Sequence, residues 1–260
     1  MARELRSVQG NEDGDVPRHV RLLLTEFKHQ LRDLVSAMLN HDVGTGSKPP
    51  AVIRSIIVKS LRENQIPFLA GDYNRSVFAY GKVFDVKVHA PADHPDFLAV
   101  TIEVAASWGE DASLYIYQRQ AAGWVNVLSA EETGYANALT AQSRFRYVIS
   151  PPATDGSWFV VTASINPHPV SAWQQIRYKV LVPGSDADHP RILMRRQSTI
   201  YLAGHDDESL AYDLSATRTG FRVSFSGGSG PFGPADTYKY RVTAGSVTPL
   251  HDLNHDEEKL

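Results

Sequence analysis

Three features of this sequence predict a mainly β protein with an N-terminal α-helical hairpin and strands that run as an antiparallel β-meander. The first is a change of period. Between residues 17 and 64 apolar side chains recur every three or four positions. From Ser76 onward that rhythm gives way to short runs rich in Val, Ile, Tyr, Phe and Thr, punctuated by Gly, Pro and Asp. The second is an internal repeat. Phe84 to Val104 aligns without a gap on Phe145 to Ile165, matching Phe84 with Phe145, Pro91 with Pro152, Ala92 with Ala153, Val100 with Val161 and Thr101 with Thr162. Each copy reads as a strand, a Pro/Asp turn and a second strand. The third is the shortness of most joins, which pairs neighbours as antiparallel hairpins.

A looser third copy begins near Leu210, where Tyr212, Ser215 and the run from Gly220 to Val223 echo Tyr147, Ser150 and the run from Ser157 to Val160. Three units of about four strands each account for the strand count. Such a set suits a sandwich-like arrangement; a β-propeller-like one is the alternative, although a closed propeller typically needs at least four blades.

In chain order, residues 1–15 are polar and read as a flexible arm. Residues 16–66 form the helical hairpin. In its first helix, Val16 to Leu39, the residues Val20, Leu24, Phe27, Leu31, Leu34 and Met38 make one stripe that Leu23 and Val35 widen. Arg21, Lys28 and Arg32 are expected away from this seam. Gly44 and Gly46 break the helix, and Pro49 and Pro50 open the second, Ala51 to Glu63. Over residues 17–64 eight Lys/Arg stand against four Asp/Glu, a locally basic element that reads as a solvated face or as a docking surface for an acidic partner or an anionic lipid head group.

Residues 70–250 form the β domain. Its expected strands lie near 76–81, 84–90, 97–105, 113–119, 123–129, 144–150, 157–165, 174–182, 191–203, 209–215, 219–226 and 236–243. Glu131 to Ser143 is read as an excursion between repeats, and residues 251–260 as a flexible tail.

Composition narrows the chemistry. The 260 residues include no cysteine, which excludes disulfides and thiolate chemistry. A net charge of -3 gives no reason to expect nucleic acid. No apolar run is long enough for a transmembrane segment. No motif calls for a cofactor, and no pattern specifies an oligomeric state.

The tetrapeptide Ala-Asp-His-Pro occurs twice, at 92–95 and 187–190. It reads as turn chemistry, with Asp bonding nearby backbone and Pro fixing φ. The competing reading is a metal or acid–base site in which His94, His189 and His205, the last beside three acids, meet carboxylates. Gly227-Gly228-Ser229-Gly230 lacks the final Gly of a nucleophile elbow, because Pro231 stands there. Glu103, Glu110, Asp111, Glu131 and Glu132 are available for paired-carboxylate chemistry. Glu103 stands out slightly at mid-strand, with a solvent-facing position as the plain alternative.

Tyr115, Tyr117 and Trp124 come from paired strands. Tyr115 and Tyr117 share one strand face, with Leu114 and Ile116 on the other. Exposed, this aromatic strip would stack on sugar rings; core packing is the competing use. Trp158 and Trp173 bring further indoles from the second repeat unit.

The run from Asp93 through Glu131, with Ser150-Pro151-Pro152, Asp155-Gly156, Ser171-Ala172-Trp173-Gln174 and Pro190-Arg191-Ile192-Leu193, resembles a group of uncharacterised, exported, β-rich bacterial proteins. The resemblance implies a secreted or envelope location with the signal peptide absent from this chain; a cytoplasmic location is the alternative. It implies no activity and no site residues. The function expected is a non-catalytic binding or scaffold protein for a protein or glycan partner. The alternative is a metal- or carboxylate-dependent hydrolase using the His/Asp loops.

Overall fold

Helix α1, Arg18–His41, carries a stripe that needs an apolar partner, and the strands that follow supply it. The computed structural model describes residues 4–5, 17–41, 48–68, 80–106, 109–132, 143–166, 173–201, 212–225 and 236–250. The expected arm (largely), the interhelical glycines, most of the 76–81 strand, the 131–143 excursion beyond Glu132, the Gly227–Gly230 run and the tail lie outside the described residues. The chain divides into two units, Met1–Ser143 with Pro183–Pro190, and Arg144–Val182 with Arg191–Leu260.

In the first unit α1 and α2 (Pro50–Glu63) pack on a four-stranded antiparallel sheet in the order β1-β2-β3-β4. Its strands are β1 (Val83–His89), β2 (Phe97–Ala106), β3 (Gly109–Gln120) and β4 (Gly123–Ala130). Register fixes which residues face the helices. Val100 lies opposite Val88 and Tyr115, and Leu98 opposite Tyr117. Leu98, Val100, Ile102 and Val104 therefore share a face with Tyr115 and Tyr117, as the period of two requires. They form one core with Val20, Leu24, Phe27, Leu31, Val35 and Leu39 of α1 and Ile53, Ile57 and Leu61 of α2. Each such side chain contributes about 1.5–3 kcal/mol on full burial. The helices have no core of their own without these strands, so the boundary between units falls after the first sheet.

One expectation is corrected here. Lys28 does not lie off the seam: it is fully buried. Its spacing of four from Leu24 and three from Leu31 places it on the stripe, and an acid on β3 makes that placement tolerable.

The second unit holds two further four-stranded meanders. One is β5-β6-β7-β8, from β5 (Ser143–Ile149), β6 (Val160–Asn166), β7 (Trp173–Val182) and β8 (Arg191–Tyr201). The other is β9 (Tyr212–Thr217), β10 (Gly220–Phe225), β11 (Asp236–Val242) and β12 (Val247–Leu250). They share a core: Val161, Ala163, Ile165, Ile176 and Val180 from the first meet Phe221, Val223 and Phe225 from the second. This is the sandwich-like packing the pattern predicts. Its buried hydroxyls are satisfied, with the Tyr178 and Tyr240 hydroxyls 2.7 Å apart and the Tyr212 hydroxyl donating to the Ala163 carbonyl at 2.8 Å.

The three sheets found among the described residues are one short of the four blades a closed propeller typically needs. The repeat maps cleanly onto them, because Phe84–Val104 and Phe145–Ile165 supply the first hairpin of the first and second sheets. β12 lies beyond the last strand the sequence predicts, 236–243. It is a short edge strand containing Pro249, and an edge is where a sheet tolerates proline.

Candidate functional site

A cluster of polar groups lies between α1 and the first sheet. The Lys28 ammonium donates to Asp111 Oδ2 at 2.9 Å, with both side chains 1% exposed, and also to the Glu132 carbonyl. The Tyr115 hydroxyl donates to Glu131 Oε1 at 2.8 Å, and His29 Nε2 lies 3.4 Å from Glu131 Oε2. Burial, reinforced by the Glu131 charge, holds the Tyr115 phenol well above its ordinary pKa, so it remains a donor. Tyr117 is pushed up to about 12, chiefly by burial, and its hydroxyl meets Ser36 Oγ and the Arg32 carbonyl, each at 3.2 Å.

At the end of α1, Asn40 acts as a fragment of a strand. Its amide donates to the Trp124 carbonyl at 2.8 Å and accepts from the Trp124 N–H at 2.8 Å. These contacts fix the helix register on β3 and β4. The cluster is a clamp whose charged members serve one another.

Two acids weighed for carboxylate chemistry, Asp111 and Glu131, belong to this clamp. Glu103 is 4% exposed rather than solvent-facing, and accepts from the Lys87 ammonium at 2.6 Å. His29 borders a groove of about 530 Å³ along α1, lined also by His19, Leu22, Leu23 and Glu26. The Thr25 hydroxyl in that groove donates to the Arg21 carbonyl at 3.0 Å. The His29–Glu131–Tyr115 chain was not legible as a unit, because its members come from α1, β3 and the residue after β4.

The aromatic strip is on the core side. Tyr115, Tyr117 and Trp124 are buried beneath α1, which occupies the face a sugar would need. The histidines of the two Ala-Asp-His-Pro loops serve their own turns. The His94 ring stacks on Phe97 with centroids 4.5 Å apart, and the His94 backbone N–H donates to the Pro91 carbonyl at 3.1 Å. In the second loop Asp186 Oδ1 accepts from the backbone N–H groups of Asp188 and His189, each at 3.0 Å, and lies 2.7 Å from His189 Nδ1. That last contact, above all, holds the Asp186 carboxyl below its usual range. His205 lies outside the described residues. Among the described residues no group of three or more His, Asp or Glu is placed to hold a metal ion.

A polar face belongs to the second sheet, exposed along β8 and covered along β6, where Thr162 and Ser164 are buried. Tyr178 and Val180 of β7 point into the sandwich core, so Trp173, Gln175, Arg177 and Lys179 stand on the opposite face. Register adds their β8 neighbours: Thr199 beside Gln175, Gln197 beside Arg177 and Arg195 beside Lys179. Gln175, Arg195, Gln197 and Thr199 are exposed, Arg177 and Lys179 half-buried, and Trp173 is 41% exposed. Arg177 Nε donates to Gln197 Oε1 at 3.3 Å, which orients the guanidinium along the sheet. The four strands contain seven Lys/Arg and no Asp or Glu.

No protein-family model, no curated protein and no solved structure matches this chain.

Proposed function

We propose that this protein is a non-catalytic binding module, and that a glycan chain is its ligand, lying along β7 and β8 on the outer face of the second sheet. The observation that carries the reading is the exposed Trp173 at the head of a row that continues through Gln175 and Arg177. An indole face covers the apolar side of a sugar ring, and the amides and hydroxyls beside it can exchange hydrogen bonds with ring hydroxyls. The first sheet's aromatics cannot serve this purpose from beneath α1. The engagement of Lys28, Asp111, Glu131 and His29 in the clamp supports a structural rather than a catalytic use for them.

Calorimetric titration of the full chain with a panel of neutral and charged oligosaccharides tests the reading. At least one should bind, and Trp173→Ala should weaken it tenfold or more, about 1.4 kcal/mol, with the melting point unchanged. Binding that is indifferent to Trp173→Ala would remove the face from consideration.

A further inference from the structure

We infer that the second unit's sandwich holds a further binding site, at an open rim between β8 and β11, and that its ligand is a small aromatic monocarboxylate. The ground is a pair of side chains that face inward and yet are not covered. On β7, Ile176, Tyr178 and Val180 are buried in the core. Their register partners on β8 are Ser198, Arg196 and Met194, which share that inward face. Arg196 is nevertheless exposed, and Ser198 and Met194 are half-buried. Across the sandwich, Tyr240 and Val242 of β11 are buried, whereas Tyr238 on the same face is 38% exposed.

Strand length explains the opening. One end of the rim is closed where the Arg191 guanidinium donates to the Ala244 carbonyl, in the turn between β11 and β12. Next along, the Tyr178 and Tyr240 hydroxyls meet at 2.7 Å and bridge the two sheets. Arg196 stands beside that bridge, opposite Tyr178. Tyr238 lies two residues past it, roughly 7 Å along β11. β8 continues at the sheet edge for 11 residues, but β12 has 4 and pairs only with Lys239 to Val242. Among the described residues no strand therefore flanks Tyr238 on the β12 side.

The chemistry of the rim selects the ligand. No acid is bonded to Arg196 among the described residues. Its planar fork matches a carboxylate bidentately. The tyrosine pair adds a donor, because two phenols hold two protons and their mutual bond uses one. Burial above all, then the bond to Tyr240, holds the Tyr178 phenol above its ordinary pKa, so it stays protonated beside the cation. The Tyr238 ring stacks on Phe225 with centroids 5.2 Å apart, and its exposed surface is left for a ligand ring. Asp236 lies two residues beyond Tyr238, at the far end of β11, so a ligand's anionic end is directed away from it and toward Arg196. The site is on the opposite face of β8 from Arg195, Gln197 and Thr199, and does not depend on the glycan reading.

The test is calorimetric titration of the full chain with 3-phenylpropanoate, its neutral amide and octanoate. We expect 3-phenylpropanoate to bind at one site with a Kd of about 1 mM or tighter, and the other two at least tenfold more weakly. Arg196→Gln should weaken the acid tenfold or more but not the amide, with the melting point held because the side chain is exposed. Tyr238→Ala should weaken both aromatic ligands. Arg241→Gln, which removes an exposed cation from the other face of β11, should change nothing. Equal binding of acid and amide, or an acid indifferent to Arg196→Gln, would overturn the carboxylate ligand. Octanoate binding as tightly as 3-phenylpropanoate would overturn the aromatic class. Absence of binding at millimolar concentration would overturn the site and leave the outer-face glycan reading standing.

Discussion

Lys28 shows how one residue can tie two elements together. Its ammonium and the Asp111 carboxylate are both withdrawn from water, so removing either partner leaves a buried charge uncompensated. Lys28→Met is expected to cost about 3–5 kcal/mol in urea denaturation, and Asp111→Leu a similar amount. The double variant should cost much less than their sum, because no charge is then stranded. Additive losses would show that the two side chains act separately.

Tyr117 gives a pH dependence at the same scale. Burial favours its neutral form, so its folded pKa, about 12, stands above the ordinary value near 10. Its contribution is fully present below pH 10 and is lost as pH rises from about 10 toward 12, where the unfolded chain ionises first. The loss from this residue is about 2–3 kcal/mol across that window. Tyr117→Phe should flatten the alkaline limb of a stability–pH curve; an unchanged limb would assign the loss to other groups.

At the scale of elements, the α1–β4 junction depends on a glycine. Gly123 has φ +127, and a Cβ there would lie 2.2 Å from Asn40 Oδ1, the acceptor of the Trp124 N–H. Gly123→Ala should therefore cost roughly 1–3 kcal/mol through backbone strain and displacement of that acceptor. Asn40→Ala should fall in a comparable range by loss of two hydrogen bonds. Hydrogen exchange should show β4 amides opening sooner in both variants, and unaltered protection would contradict the junction's role.

The elements were legible to unequal degrees. Alternation separated Tyr115 and Tyr117 from Leu114 and Ile116 correctly, and the repeat marked the first hairpin of two sheets. β12 is not legible because Pro249 interrupts its pattern. Lys28 sat on the helical stripe in plain view, but its partner Asp111 is 83 residues away, and no local period carries such a pairing.

For the whole molecule, the mainly β class and the three meanders were readable because each sheet closes within a contiguous stretch of chain. The candidate face was less so. Trp173 is one of four tryptophans in the sequence, but only register shows that its row runs through Gln175 and Arg177 beside Gln197 and Arg195. Sequence favoured Tyr115, Tyr117 and Trp124 because period two reveals a shared face without saying what covers it. Here α1 covers it. Charge gave a similar lesson: an overall -3 concealed four strands without a single acid.

The most direct measurement is a residue-resolved amide and indole NMR map of the full chain, titrated with the oligosaccharide that binds tightest in calorimetry. The account predicts that the Trp173 indole N–H and the amides of Arg177, Arg195 and Gln197 shift together and saturate at one concentration, while α1 and β9–β12 stay fixed. Shifts centred on the α1 groove at His19, Leu22 and His29, or none at saturating glycan, would contradict it.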